Sequence, residues 1–212
     1  MRPENGPEGR QRSFIEEARR RQIIASAVEV IADRGYAGAT LARIAAHAGI
    51  SKGVVSYHFD GKDDLMTQVV VQLYVSAGEY IGPLVEAADG PAARLRAYMT
   101  ANLDYVDVNR RFIAAMTDVV LGLREPDGRL RFVSADEDTG PLAPLVSILR
   151  DGQKSGDFGD FDATTMGRLI RDSIDAAAGR AARDPGFDLE HHGRLMISVY
   201  QQAVTVLPEE PA

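Results

Sequence analysis

Apolar side chains recur along most of this chain at the spacing of one face of an α-helix. The first regular segment has apolar residues at relative positions 0, 3, 4 and 7, namely Ile24, Ala27, Val28 and Ile31. This period predicts a helix over about residues 13–34. Gly35 follows directly, and a glycine in this place is typical of a left-handed helix end.

Two short helices and one long helix are predicted next. Thr40 is a favourable N-cap for a helix that runs through Ala48 and ends at Gly49, and Ser51 is a favourable N-cap for a helix to about residue 58. Asp60 is a candidate N-cap for a longer helix, whose apolar period continues to about residue 85.

The remainder of the chain also reads as helix. Further helices are predicted over about 91–107, 110–123, 141–154, 163–183 and 188–206, with turn-forming residues between them. The β-branched run at 69–75 lies inside a longer helical period, so strand signals are nearly absent. The sequence therefore predicts an all-α fold: a disordered tail (1–12), an N-terminal three-helix helix-turn-helix domain (13–60) and a larger C-terminal helical ligand-binding and dimerisation bundle (61–207).

Composition places few constraints on this architecture. The 212 residues are 45% hydrophobic and 26% charged, which is enough to bury a core. Cysteine is absent, which excludes disulfides and thiolate metal sites and fits a reducing compartment. No apolar run approaches the ~18 residues of a membrane span, and residues 1–12 lack the apolar middle of a signal peptide. We therefore expect a cytoplasmic protein with no membrane partner.

Charge is distributed unevenly along the chain. The net charge is −7, but residues 1–59 hold nine Lys/Arg against six Asp/Glu, which gives +3. The other 153 residues hold fifteen against twenty-five, which gives −10. This division suits a protein that contacts nucleic acid with its first quarter only, although chance clustering would produce the same pattern.

The segment TLARIAAHAGISKGVVSYHF, residues 40–59, has little of the bulk that a core helix needs. Ala45 and Gly49 are small enough for two helices to cross closely at the AGIS turn. The second helix is predicted to expose a charge, methyl groups and hydroxyls, and a helix that enters the DNA major groove has this composition. The exposed residues are predicted to be Lys52, Val54, Ser56 and Tyr57.

This segment, its preceding helix and the following GKDDL resemble the DNA-binding domain of the TetR (tetracycline-repressor-like) family of transcriptional regulators. The resemblance covers about residues 20–66. The matching positions are Gly35, Tyr36, Thr40, Ile44, Ala45, Ala48, Gly49, Ser51, Gly53, Tyr57, Phe59, Lys62 and Leu65.

The resemblance implies two groups of DNA-binding residues. Phosphate contacts are implied for Thr40, Tyr57, His58 and Lys62. The implied residues on or beside the recognition helix are Ser51, Lys52, Val54, Val55 and Ser56. Lys52 is the best candidate for a guanine, and the valine methyls for a thymine methyl. Tyr57 as a core aromatic and His58 as an ordinary surface residue are the alternatives, whereas Phe59 is expected to be core.

The resemblance also implies a small-molecule pocket in the C-terminal bundle. The candidate ligand-binding residues are Tyr74, Met99, Asn102, Leu103, Phe112, Met116 and Asp118. Asp118 interrupts an apolar helix, and a buried carboxylate needs a partner that a ligand would supply. The alternatives are that Asp118 faces solvent or an arginine of the same chain, and that the aromatic and methionine residues are core.

The last two helices, about 163–183 and 188–206, are predicted to form a homodimer interface. Each carries an apolar stripe: Met166, Ile170, Ile174 and Ala177 on one, and Met196, Val199, Ala203 and Val206 on the other. Two such helices from each subunit would make a four-helix bundle. The alternative is that the stripes belong to the core of a single chain.

The resulting hypothesis is a homodimeric, ligand-responsive transcriptional regulator, a repressor that a small molecule releases from its operator DNA. No catalytic constellation is evident, and the adjacent His191 and His192 are a poor metal pair, so no enzyme, cofactor or metal is expected. Two alternatives stay open: an all-α small-molecule-binding or enzymatic protein whose helix-turn-helix is only structural, and an architectural DNA-binding protein without a ligand.

Overall fold

A computed structural model of the chain describes residues 7–125, 127–132 and 142–205. That part of the chain forms nine helices and contains no β-strand, so the predicted all-α fold is confirmed. The helices are α1 (Pro7–Gly38), α2 (Leu41–His47), α3 (Lys52–His58), α4 (Lys62–Glu86), α5 (Gly90–Val108), α6 (Arg110–Gly122), α7 (Ala143–Ser155), α8 (Ala163–Arg183) and α9 (Leu189–Val204).

The helix boundaries differ from the prediction mainly at the N-terminus. Helix α1 begins at Pro7, so residues 7–12, which were predicted to be a disordered tail, are helical. Proline is well tolerated in the first turn of a helix because its missing N–H has no partner there. Gly35 has φ 69°, which interrupts the helical backbone where the first helix was predicted to end. Parts of three predictions lie outside the described residues: residues 1–6 of the predicted tail, residue 141 at the start of a predicted helix, and residues 206 and 207 at the end of the predicted last helix and domain.

Side-chain caps define the start of the short helices. The hydroxyl of Thr40 accepts a hydrogen bond from the backbone N–H of Arg43, which begins α2.

Helix α4 does not begin as predicted, because its N-cap is Gly61 at φ 93° and not Asp60. The N–H of Asp60 instead donates to the carboxylate of Asp64 at 2.9 Å.

Two hydrophobic cores share helices α4 and α6. The N-terminal core is built from α1, α2, α3, the first half of α4 and most of α6. The C-terminal core joins α5, α7, α8 and α9 to the end of α4. Ala77 on α4 and Ile113 on α6 pack against both cores. The predicted domain boundary at residues 60/61 therefore does not separate the two cores. The first half of α4, which follows this boundary, packs in the N-terminal core, and the end of α4 packs in the C-terminal core.

The apolar stripe predicted for dimerisation on α8 lies inside the chain. Ile170, Ile174 and Ala177 are buried in the C-terminal core. On α9, Met196 is buried too, whereas Val199 is exposed. The intramolecular interpretation of these stripes is therefore correct for the buried residues, since the helical period identifies an apolar face but not what packs against it.

Candidate functional site

The α2–α3 pair is held on α1 by a compact set of buried residues. Ile44 and Val55, from the two short helices, are fully buried in the N-terminal core. Gly49 takes φ 68° at the turn between them, a conformation that favours glycine. Beside it, the N–H of Ile50 donates to the carbonyl of Ala45 at 3.0 Å. These contacts fix the angle between the two helices and make a helix-turn-helix.

The opposite face of α3 is open to solvent. Lys52 and Ser56 are exposed, and Tyr57 is 75% exposed and reaches no core. The interpretation of Tyr57 as a core aromatic is therefore wrong. The hydroxyl of Ser51 accepts from the N–H of Val54 at 3.3 Å and still has its own hydrogen to donate. Half-buried His58 meets Tyr57 edge to face, with 5.0 Å between the ring centroids.

Val55 was predicted among the DNA-facing residues, and the structure corrects this. Its side chain is 0% exposed and packs between α3 and the rest of the N-terminal core. Val54, one residue earlier, is half-buried and lies towards the surface. Consecutive helical residues are about 100° apart around the axis, so the two valines cannot both face outward. Only Val54 keeps a methyl group near the outer face.

Lys62 was expected to reach a phosphate, but its side chain folds back onto the protein. Its Nζ donates to the carbonyl oxygen of Tyr36 at 2.6 Å and lies 4.1 Å from the centre of the Tyr36 ring. Partial burial lowers the pKa of Lys62, while the charge of Asp63 opposes that shift. In this conformation Lys62 joins the end of α1 to the start of α4.

Two residues that no motif indicated also hold the helix-turn-helix in place. The guanidinium of Arg20 lies 4.5 Å above the ring of Phe59, which is buried as expected, and donates to the carbonyl of His58. Gln22 donates from Nε2 to the carbonyl of Ala48 at 2.9 Å. Each side chain thereby hydrogen-bonds a backbone carbonyl at the end of α2 or α3, where the helix itself offers no partner. The sequence contains no signal for this role, because both residues lie on the polar side of α1.

A cleft of about 420 Å³ runs beside α4 in the C-terminal bundle. Its lining comes from α4, α5, α7 and α8, and most of it is apolar. The lining residues are Tyr74, Ala77, Gly78, Ile81, Gly82, Val85, Glu86, Tyr98, Asn102, Pro144 and Arg171. A cleft of this size with few polar groups is the usual form of a small-molecule site.

The polar part of the cleft is organised around Arg171. Its guanidinium donates to Oδ1 of buried Asn102 at 3.1 Å and, from two nitrogens, to the carboxylate of Asp175. Burial by itself lowers the pKa of Arg171, but the hydrogen bonds and charge of Asp175 more than reverse this and raise it. Tyr98 adds to the same rise. Arg171 is thus a permanent cation that is already paired.

Only two of the predicted ligand residues line this cleft: Tyr74 and Asn102. Met99 is wholly buried in the C-terminal core, and Leu103 lines a different groove, between α5 and α9. Phe112 and Met116 pack in the N-terminal core. Asp118 is exposed, in agreement with the solvent-facing alternative. Arg171 was missed because a single arginine in a helix forms no motif.

Comparison with known proteins identifies the N-terminal domain. Residues 23–69 match the family model TetR_N, described as bacterial regulatory proteins of the tetR family. This is a TetR-family domain. The family predicted from residues 20–66 is therefore confirmed, and the match extends to Val69, inside the α4 segment that completes the N-terminal core.

Relatives of the TetR-family domain are named as regulators and not as enzymes. The HTH-type transcriptional regulator BetI 1 of Chromohalobacter salexigens is 38% identical over 93 residues, which is 43% of this chain and 46% of that protein. BetI of Burkholderia thailandensis is 36% identical over 99 residues, 45% of this chain and 49% of that protein. The chain thus spans about half the length of these curated relatives. These names agree with the expectation that the chain is not an enzyme.

Solved structures resemble the whole fold, beyond the TetR-family domain. The fatty acid degradation regulator FadR of Bacillus halodurans has a TM-score of 0.74 at 22% identity, covering 86% of this chain and 94% of that one. FadR of Bacillus subtilis, solved in complex with stearoyl-CoA, has a TM-score of 0.72 at 23% identity, covering 86% and 98%. At these identities the likeness concerns the arrangement of helices.

Two other kinds of site are absent from the part of the chain that the structure describes. No helix within the described ranges is both long and apolar enough to cross a bilayer. In the same ranges no group of three His, Asp or Glu side chains is placed to hold a metal ion.

Proposed function

We propose that this chain is a homodimeric transcriptional regulator that binds duplex DNA in the cytoplasm through α3 and is released from its operator when a small molecule occupies the cleft. We propose that it acts as a repressor, so that this release would restore transcription. The main observation in support of this proposal is that one helix, α4, belongs to both cores and also lines the cleft.

The DNA-binding part of the proposal is supported by the outer face of α3. Lys52, Ser56 and Tyr57 supply a cation, a hydroxyl and a phenol on a helix whose other side is anchored. Thr40, at the start of α2, is exposed as well. Phosphate contacts place such a helix in register, and the longest free side chain, Lys52, is suited to a guanine edge.

The release part of the proposal is supported by the course of α4. Leu65, Val69 and Leu73 bury the first half of α4 under the helix-turn-helix, and one face of its second half lines the cleft. Helix α4 has 25 residues and is about 37 Å long, so it reaches from the helix-turn-helix to the cleft. A ligand that favours one position of α4 shifts the population towards that position and changes the placement of α3.

The dimer part of the proposal keeps Val199 from the predicted stripe on α9 and adds two leucines that lie outside the stripes. Leu169 on α8 and Leu195 and Val199 on α9 are large apolar side chains that remain exposed in the single chain. Tyr200 ties the two helices together, since its hydroxyl donates to the carbonyl of Leu169 at 2.8 Å. A second copy that covers this face would place two α3 helices on one duplex, with half-sites about 34–36 Å or a multiple apart.

Selection of binding duplexes from a random pool tests this function. The full chain should enrich an inverted repeat, with half-sites separated by whole turns of the duplex. Enrichment of nothing above the input pool, or of a single unrepeated site by a monomer, would contradict the proposed function. The enriched duplex then serves as the operator in the experiments below.

A further inference from the structure

Helix α4 carries two glycines one turn apart on the side that lines the cleft. A Cβ atom on Gly78 or on Gly82 would meet no other described atom within 4 Å, apart from the local helix backbone. Glycine in a helix interior is less favourable than alanine. The space beside both residues belongs to the cleft. At these two positions α4 therefore has no side chain that would occupy the space of a bound ligand.

The cleft is long and its polar groups are mostly at one end. From Tyr74 to Glu86 it follows twelve residues of α4, which is about 18 Å. At the Tyr74 end, Tyr74 is close enough to Arg171 and Tyr98 to interact with their charges. All three side chains carry hydrogen-bond donors. Burial raises the pKa of Tyr74, the charge of Arg171 lowers it in part, and the net effect keeps the phenol protonated.

The charges at the cleft oppose an anionic ligand. Arg171 is the only cation among the described lining residues, and Asp175 already neutralises it. Glu86 adds a negative charge at the far end. A ligand carboxylate at Arg171 would stand beside the carboxylate of Asp175, and two like charges in contact disfavour each other. A hydrogen-bond acceptor without charge meets no such opposition.

We infer that the cleft binds an uncharged, elongated apolar molecule with one terminal hydrogen-bond acceptor, such as a ketone carbonyl, held at Arg171 and the two tyrosines while its chain lies along Gly78 and Gly82. The inference rests on the proposed function, because it names the chemical class of the same effector. Coenzyme A thioesters do not fit it, since their phosphates would require free cations that the described lining lacks.

Calorimetric titration of the full chain without DNA tests the ligand class. The probes are dodecan-2-one, dodecanoate and dodecanoyl-CoA, which differ at the polar end. We expect the ketone to bind at least tenfold more tightly than either of the others. Tighter binding of dodecanoate or dodecanoyl-CoA, or no binding of the ketone, would overturn the inference.

Two matched variants locate the bound ketone. Gly78→Leu fills the cleft and should weaken binding at least tenfold, while its thermal midpoint without ligand should not fall, because leucine is a better helix former than glycine. Glu79→Leu adds the same side chain to the next, exposed position, outside the lining, and should bind like the unchanged chain. Equal binding by Gly78→Leu and the unchanged chain would overturn the assignment to this cleft.

A separate measurement distinguishes this inference from the proposed function. The affinity for the selected duplex is measured with and without saturating dodecan-2-one. If the ketone binds in the cleft and the duplex affinity is unchanged, the ligand class stands and release by that ligand fails. If the selection yields no duplex at all, the calorimetric result still decides the ligand class.

Discussion

Ser51 caps α3 and is also one of the residues proposed to lie against DNA. Its hydroxyl caps α3 through the N–H of Val54, and it is exposed on the face assigned to DNA. The two roles separate by substitution, because alanine removes the cap whereas aspartate retains it and adds a negative charge. Ser51 is therefore the residue at which stability and DNA affinity can be changed independently.

Ser51→Ala should lower the free energy of unfolding by about 1 kcal/mol, the usual cost of a lost N-cap. Ser51→Asp should keep that free energy within about 0.5 kcal/mol of the unchanged chain, since aspartate caps as well as serine, yet it should bind the selected duplex at least tenfold more weakly. Urea unfolding and duplex titration measure the two effects. Undiminished duplex binding by Ser51→Asp would place this end of α3 away from phosphate.

Several site residues could be predicted from the sequence because their role is local. The caps at Thr40 and Ser51 depend only on residues three positions away, and Gly49 depends on its own backbone angle. Val55 was assigned wrongly because its environment is set by α1, and the contact of Lys62 with Tyr36 could not be predicted because Tyr36 is 26 residues away in sequence. Arg171 could not be found, since its partner Asn102 lies 69 residues before it.

Helix α6 is the element whose place the sequence predicted least well. Its apolar period is clear, but Phe112 and Met116 pack under the helix-turn-helix and not around a ligand. Arg111 fastens α6 to α1, since its guanidinium lies 3.3 Å from Glu29 and also pairs with Asp33. Periodicity predicted that α6 exists. Whether its apolar side chains line a pocket or fill a core depends on the packing of α1 against it, which the period does not reveal.

Arg111→Ala should weaken the coupling between the cleft and the helix-turn-helix. Exposed ion pairs contribute roughly 0–1 kcal/mol each to stability, so the fold and the affinity for the effector should change little. The ratio of duplex affinities without and with effector should fall, because α1 is less firmly attached to α6. The measurement is duplex titration at zero and saturating effector.

Arg110→Ala is the matched control for this prediction. Arg110 is the preceding residue of α6, but it pairs with Asp107 one turn away and does not reach α1. Its substitution should leave the ratio of duplex affinities unchanged. An equal loss in both variants would mean that the α6–α1 ion pairs have no specific role in release.

The assembly of the whole molecule depends on the outer face of α8 and α9. Leu195→Glu places a charge on that face and should convert a dimer to a monomer at micromolar concentration, because burying an unpaired carboxylate is costly. Light scattering after size exclusion gives the mass. Leu121→Glu on α6 is the control, since Leu121 is 58% exposed and Leu195 is 57% exposed. Dissociation by Leu121→Glu and not by Leu195→Glu would move the interface to α6.

At the scale of the whole chain, the central claim is that the face of α3 opposite its buried side contacts duplex DNA. The chain has three lysines, and they make a matched set: Lys52 on this face, Lys62 folded onto Tyr36 and Lys154 exposed on α7. Of the three, only Lys52 lies on the face that is proposed to contact the duplex.

The most direct test is the affinity of the lysine variants for the selected duplex across a range of salt concentrations. Lys52→Ala should bind more weakly by at least tenfold, and if Lys52 meets a phosphate the slope of log affinity against log salt should become shallower by about 0.9. Lys154→Ala should match the unchanged chain in affinity and slope. Equal affinity of Lys52→Ala and Lys154→Ala at every salt concentration would contradict the account.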